Sequence, residues 1–170
     1  MNEESAMVLA PFGAIRVSAS YGVLMGIDVL PAHALLDAGE RGFASADSLL
    51  KEVGDQILRY LEDPQLRFAL PNRLEGTPFQ ERIWQALREI PAGKVVSYGG
   101  LAQRLDTGSR AVASACKANR FPILIPCHRV VSGKGVGGYC GETEGAMPEI
   151  KRWLLRHEGA LPGVNGDGSV

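Results

Sequence analysis

Cys127 and His128 stand side by side in the apolar run Ile125-Pro126-Cys127-His128-Arg129-Val130-Val131. A thiol is a nucleophile only as its thiolate, and a neighbouring base lowers the cost of losing the proton. The pair is therefore a candidate nucleophile with its base. Two considerations oppose a reading from adjacency alone. Neighbours on an extended strand point to opposite faces. A cysteine in an apolar run is also more often a small buried hydrophobe than a reactive group. Pro126 fixes the path into the run and supplies a kink through which both side chains can share a face. Val130-Val131 reads as a short buried strand.

The other cysteines, Cys116 and Cys140, lie in the same part of the chain. Three cysteines with no C-x-x-C pair argue against a disulfide framework and against a structural zinc; no metal and no cofactor is expected. Cys140 follows Tyr139 in the glycine-rich stretch Val136-Gly137-Gly138-Tyr139-Cys140-Gly141, a composition that lets backbone amides approach a ligand.

These residues need a scaffold, and 170 residues suffice for one good core or two small lobes. Hydrophobic content of 45% and charged content of 22% are those of a soluble globular protein. No apolar run reaches the length of a membrane span, and the acidic start Met1-Asn2-Glu3-Glu4 lacks the pattern of a signal peptide, so a cytoplasmic protein is expected. The net charge of -1 alone argues against a nucleic-acid partner. The two parts differ, however. Residues 1–75 hold 6 Lys and Arg against 11 Asp and Glu, whereas residues 76–170 hold 12 against 8. Chance clustering and a C-terminal lobe that meets a polyanion both fit this asymmetry.

Along the chain, residues 7–30 alternate apolar stretches with the breaks Pro11-Phe12-Gly13 and Ser20-Tyr21-Gly22, which predicts a small antiparallel meander. A loop is expected over 31–45. Ser45 or Asp47 then caps a helix with Leu49, Leu50, Val53, Ile57, Leu58 and Leu61 at helical spacing, ending before Asp63-Pro64. A linker from Ala69 to Gly76 gives the domain boundary: an N-terminal lobe over 1–73, a second domain over 74–160 and a frayed tail over 161–170. Thr77, Pro78 and Gln80 form a capping box for a helix carrying Phe79, Ile83, Trp84, Leu87 and Ile90. Ser97 caps a second helix, Tyr98 to Leu105, with Leu101, Ala102 and Leu105 inward. Asp106-Thr107-Gly108 turns the chain, and Ser109 caps a third, Arg110 to about Ala118. Helix, short turn, helix is the layout of a helix-turn-helix, although many such pairs are only scaffold.

The third helix carries Ala111, Ala113, Ser114 and Ala115 behind Arg110. Side chains this short reach no base edge in a major groove. They suit either a close, shallow contact such as a minor groove with one Arg inserted, or tight burial against other helices. Asn119 is placed to fix the path from this helix to Cys127. A final helix is expected from Pro148 to His157, with Ile150, Trp153 and Leu154 inward, followed by Glu158 and a Gly159 stop.

Gly76-Thr77-Pro78-Phe79-Gln80, Ser97-Tyr98, Arg110-Ala111-Val112, Asn119, Pro126-Cys127-His128-Arg129-Val130-Val131, Gly138-Tyr139 and Leu154-Leu155 with Glu158-Gly159 occur in one order. In this the chain resembles the O6-alkylguanine-DNA alkyltransferase family over roughly residues 74–160. The resemblance implies an α/β (α+β) protein: a small N-terminal antiparallel sheet with a helix, and a winged-helix-like helix-turn-helix domain carrying the active-site cysteine. It implies direct damage reversal, with irreversible, stoichiometric transfer of the alkyl group from O6-alkylguanine, and from O4-alkylthymine, to Cys127. His128 would act as base through a bridging water, oriented by Glu158. Asn119 would couple the third helix to the acceptor turn. Arg110 would fill the gap left by a flipped nucleotide, and Tyr98 would press on the rotating phosphate. Ser97, Ala111, Ala113, Ser114 and Lys117 would complete the DNA contact, and Cys116, Pro122, Val130, Tyr139 and Cys140 the base pocket. The implied partner is double-stranded DNA, bound through the minor groove by a monomer, largely without regard to sequence and with no membrane involved; cooperative binding stays open.

The chain departs from the family pattern in a shorter stretch between Tyr98 and Arg110, a shorter turn after Val131, and Cys140 where a serine is common. Three other readings compete. A non-catalytic alkyltransferase-like damage-binding protein would lack the acceptor, which Cys127 supplies. A sequence-specific transcription factor conflicts with the small-residue third helix. A cysteine hydrolase built on Cys127, His128 and Glu158 has no oxyanion motif to support it.

Overall fold

The computed structural model describes residues 3–35, 48–69 and 75–160. The chain divides into two compact units, Met1–Arg73 and Leu74–Val170. The expected caps Ser45 and Asp47, most of the linker and the tail lie outside the described residues.

In the first unit, β1 (Glu3–Ala10), β2 (Gly13–Ser20) and β3 (Val23–Pro31) form the antiparallel meander in chain order. Two-residue hairpins require a backbone that twists with the strands. Tyr21 and Gly22 supply it with φ of 49° and 74°. The register aligns Ala6, Val17 and Ile27, then Val8, Ile15 and Val29, so one face of the sheet is apolar and buried. Helix α1 (Ser48–Glu62) lies against all three strands and buries Leu50, Val53, Ile57 and Tyr60. Leu58, expected on this stripe, is exposed, and Leu61 is half-buried. Tyr60 takes the inward place because it lies one turn from Ile57 and Gln56 on the buried side. Gln56 holds the chain beyond the helix by both ends of its amide: Nε2 donates to Ala69 O and Oε1 accepts from Ala69 N. The loop expected after β3 contains a single 3-10 turn, Ala32–Ala34.

In the second unit, α2 (Pro78–Arg88) begins at the predicted capping box: Thr77 Oγ1 accepts from Gln80 N, and Gln80 Oε1 accepts from Thr77 N. Ile83, Trp84 and Leu87 are buried, Phe79 half so, and Trp84 Nε1 donates to Ala115 O at 2.9 Å. Strand β4 (Val96–Ser97) runs directly into α3 (Tyr98–Arg104), whose cap is Ser97, with Oγ accepting from Gly100 N. Leu101 and Ala102 are buried and Leu105 half-buried. Asp106, at φ 53°, reverses the chain into α4 (Ser109–Lys117). Ser109 is the first residue of this helix and not its cap. Gly108 has the extended cap backbone, and its carbonyl accepts the first helical bond from Val112.

Strand β5 (Val130–Val131) pairs parallel with β4, Val96 opposite Val130 and Ser97 opposite Val131. Helix α5 (Ala146–His157) starts two residues before Pro148, which the first turn tolerates because those N–H groups have no helical partner. Trp153 is half-buried and stacks on His157, with ring centroids 4.8 Å apart. The inward place expected for it belongs to Lys151, which shares a stripe with Met147, Ile150, Leu154 and Leu155. The helix ends in a Schellman motif: Ala160 N donates to Leu155 O and Gly159 N to Arg156 O, with Gly159 at φ 74°. That motif leaves Glu158 at the cap.

Candidate active site

Pro126, at φ -80° and ψ 66°, makes an inverse γ-turn in which Cys127 N donates to Ile125 O at 2.8 Å. Cys127–Arg129 is one 3-10 turn, closed by Arg129 N donating to Pro126 O. The two candidate residues are therefore not on an extended strand, and the objection from strand geometry falls. Both are buried, Cys127 at 6% exposure and His128 at 0%.

The path into this turn is held by Asn119, which follows α4. Its Nδ2 donates to Ile125 O and its Oδ1 accepts from Phe121 N, both at 2.9 Å. Between those anchors Ile123 sits at φ 75°, a region that a β-branched residue seldom enters. Such strain costs on the order of 1–3 kcal/mol and persists where the surroundings fix it. Ile123 is almost fully buried.

Behind the turn lies a buried ionic group. Glu158 Oε2 accepts from His128 Nε2 at 2.8 Å. Arg129 meets the same carboxylate in a two-pronged pair, Nε to Oε1 and Nη2 to Oε2, both at 2.9 Å, while its Nη1 donates to Ile90 O. Burial pushes the Glu158 carboxyl up, but His128 and Arg129 outweigh it and hold the group well below the usual carboxylate range. Burial pushes His128 down, partly offset by Glu158, so the imidazole is neutral near pH 7. With Nε2–H directed at Glu158, the lone pair lies on Nδ1, a buried atom with no partner among the described residues. The turn therefore carries an unprotonated nitrogen on the residue that follows a buried thiol.

Burial raises the Cys127 thiol, opposed by the side-chain hydrogen bond of Asn119, the Lys151 charge and its own backbone N–H. Burial also pushes Cys116 up to about 12, with a further rise from Cys127. Tyr98 is raised too, by burial first and then by Cys116 and Cys127, and remains a neutral phenol that can donate.

The other expected positions separate into two groups. On α4, Arg110, Ala113, Ser114 and Lys117 are exposed, Ala111 is half-buried, and Val112 and Ala115 are buried. The small-residue helix thus offers one face to solvent. Ser97 and Tyr98 are half-buried where β4 meets α3. Pro122, Val130 and Tyr139 are buried and Cys116 is half-buried. Cys140 is exposed at φ 50°, and with Gly141 it forms a tight turn closed by Tyr139 and Glu142. Arg129 and Lys151 were not legible as site residues, although each is a cation inside an apolar pattern. Among the described residues no group of three or more His, Cys, Asp or Glu is placed to hold a metal ion, and no helix is long and apolar enough to cross a membrane.

A family model described as 6-O-methylguanine DNA methyltransferase, DNA binding domain, matches residues 78–160. A methylated-DNA–protein-cysteine methyltransferase of Archaeoglobus fulgidus is 39% identical over 122 residues, covering 70% of this chain and 80% of that protein. The chain belongs to this methyltransferase family. Other curated members match it over about half of their own length, 49% in one case and 53% in another. The crystal structure of a Mycobacterium tuberculosis O6-methylguanine methyltransferase variant is similar at a TM-score of 0.72, with 26% identity over 96% of this chain and 97% of that one. The M. tuberculosis protein in complex with DNA gives 0.69 at 28% identity, over 91% and 92%. The α+β architecture is that of the methyltransferase family, and membership makes the chain an alkyl-transfer enzyme of DNA repair.

Proposed function

We propose that this chain reverses alkylation in duplex DNA by moving the alkyl group from guanine O6, and from thymine O4, onto Cys127. One observation supports the assignment most: a neutral imidazole, its Nε2 held by Glu158 and its buried Nδ1 without a partner among the described residues, follows a buried cysteine on the same 3-10 turn. Nδ1 takes the thiol proton through a bridging water. The thiolate attacks the alkyl carbon in line, a carbon–sulfur bond forms as the carbon–O6 bond breaks, and the departing electron pair stays on the base, which then regains a proton. The imidazolium is offset by the Glu158 carboxylate. The product is a thioether, so each chain acts once.

The carbon on O6 is not open to in-line attack within the base stack, so the nucleotide must leave the helix. Arg110 fills the space it vacates. Ser97, Ala111, Ala113, Ser114 and Lys117 meet the minor groove without reading sequence, as damage at arbitrary sites requires. Tyr98 presses on the rotated phosphate, and Cys116, Pro122, Val130, Tyr139 and Cys140 surround the base. Asn119 joins α4 to the acceptor turn. Chemistry that rests on free thiols belongs in a reducing compartment, hence the cytoplasm, and one monomer holds every group the reaction uses.

The test is the intact mass of the protein after mixing with duplex DNA carrying one O6-methylguanine. A gain of one methyl per chain, absent in Cys127→Ser, is expected. Repeated turnover sinks the proposal, and binding without any mass gain points to a damage-binding protein instead.

A further inference from the structure

The turn that follows α2 has no part in the proposed reaction, yet it lies against the groups that hold the base. Ile90, at its start, is buried, and its carbonyl accepts from Arg129 Nη1 at 2.6 Å. Lys94 N donates to Pro91 O and closes the turn, with Gly93 at φ 89°. A methyl group added at Gly93 would lie 3.2 Å from the Glu158 carbonyl oxygen, too near to fit unless that oxygen moved. Val95 and Ala160 both pack against the cluster of Val131, Val136 and Leu155. From Ile90 to Val95 the chain is therefore laid across the carboxyl end of α5.

A positive φ explains a glycine but not this contact. Gly22 has φ of 74° and nothing within 4 Å among the described residues, so its hairpin needs only the backbone freedom. At Gly93 the missing side chain also lets two backbones meet. The residue met there is the one whose carboxylate bonds to His128 Nε2. Glu158 is thus held from two sides. His128 and Arg129 hold its carboxylate, and the Schellman motif and Gly93 confine its main chain. Through Ile90 O the same turn also takes the Arg129 nitrogen that Glu158 does not use.

We propose that Gly93 is a positioning residue: its lack of a side chain seats the turn between α2 and β4 against Glu158, and the seated turn sets how the Glu158 carboxylate meets His128 Nε2. The inference rests on His128 being the base of the proposed reaction. The hydrogen bond at one ring nitrogen decides where the imidazole proton resides. A displaced carboxylate lets that proton spend time on Nδ1, where it occupies the lone pair that must receive the thiol proton.

The test is the nitrogen-15 spectrum of the full chain with labelled histidine, in which His33, His128 and His157 report. Near pH 7 the wild type should show His128 as the Nε2–H tautomer. In Gly93→Ala the shifts of its two ring nitrogens are expected to converge, and alkyl transfer from free benzylated guanine to slow by roughly threefold to tenfold. Gly22→Ala imposes like backbone strain in open space and should show neither change. Unmoved ring nitrogens in folded Gly93→Ala overturn the proposal, and so does an equal convergence in Gly22→Ala. Should Gly93→Ala not fold, Val95→Ala decides, because it loosens the turn without adding bulk. Convergence there supports the proposal, and unmoved nitrogens overturn it. The spectrum needs no alkylated DNA. A chain that takes no methyl from DNA removes the proposed function, whereas an unmoved tautomer with methyl transfer intact removes only the role of Gly93.

Discussion

Glu158 sits at the carboxyl end of a helix, where the backbone carbonyls disfavour a negative charge. The pairing with Arg129 and His128 makes a buried carboxylate tenable there. Glu158→Gln leaves the Arg129 charge buried and unpaired, and a loss of about 3–5 kcal/mol is expected by urea denaturation at neutral pH. The same pairing sets the response to acid. The folded-state pKa values of His128 and Glu158 both lie below their unfolded values. As pH falls the unfolded chain binds more protons, first at the histidine below about 6.5, then at the carboxylate below about 4.3. Stability present at neutral pH is therefore lost in that order. Melting temperatures from pH 8 to pH 4 should begin to fall near the histidine value, and His128→Gln should flatten that upper part of the curve. A melting temperature that holds steady down to pH 5 in the wild type contradicts the assignment.

At the scale of elements, α4 presents Arg110 to solvent in front of small exposed residues. Arg110→Ala should slow repair of duplex DNA far more than reaction with free benzylated guanine. Equal slowing in the two rate measurements refutes the intercalating role. The end of α5 offers a second test. Gly159 has open space around its Cα, so Gly159→Ala meets no neighbour and suffers only from its positive φ. A cost of roughly 1–2 kcal/mol is expected. The alkyl-transfer rate should fall as well, because the Schellman motif fixes Glu158.

The capping box at Thr77 and the turn before α4 were legible because each is set within a few residues. Ser109 was misplaced because Gly108, which carries no capping side chain, left the hydroxyl next to it as the stronger local signal. Lys151 was obscured by a habit of composition: lysines are read as solvated. Its place one turn from Met147 and one from Leu155 was visible in the spacing. The union of His128 with Glu158 spans 30 positions, and no local rule reaches that far.

For the whole molecule, the unequal charge of the two parts of the sequence bears on how it meets DNA. The second carries 12 basic against 8 acidic residues, a modest excess that favours weak, salt-sensitive contact with a polyanion. Fluorescence anisotropy with two unrelated undamaged duplexes should give affinities within about threefold of each other, both weakened by added salt. A strong preference for one sequence removes the view of α4 as a non-reading helix. The sheet was readable from its turn residues. The burial of Arg129 and the anchoring of Asn119 depend on which elements meet.

The chain holds two tryptophans, and their surroundings differ. Trp153 is half-buried on an imidazole, whereas Trp84 is buried and donates to the carbonyl of Ala115 on α4. An indole bonded to the helix that carries Arg110 is a built-in optical reporter. Any tilt of α4 that stretches this bond changes the emission of Trp84, so docking on DNA can be timed by stopped-flow fluorescence without attaching a dye.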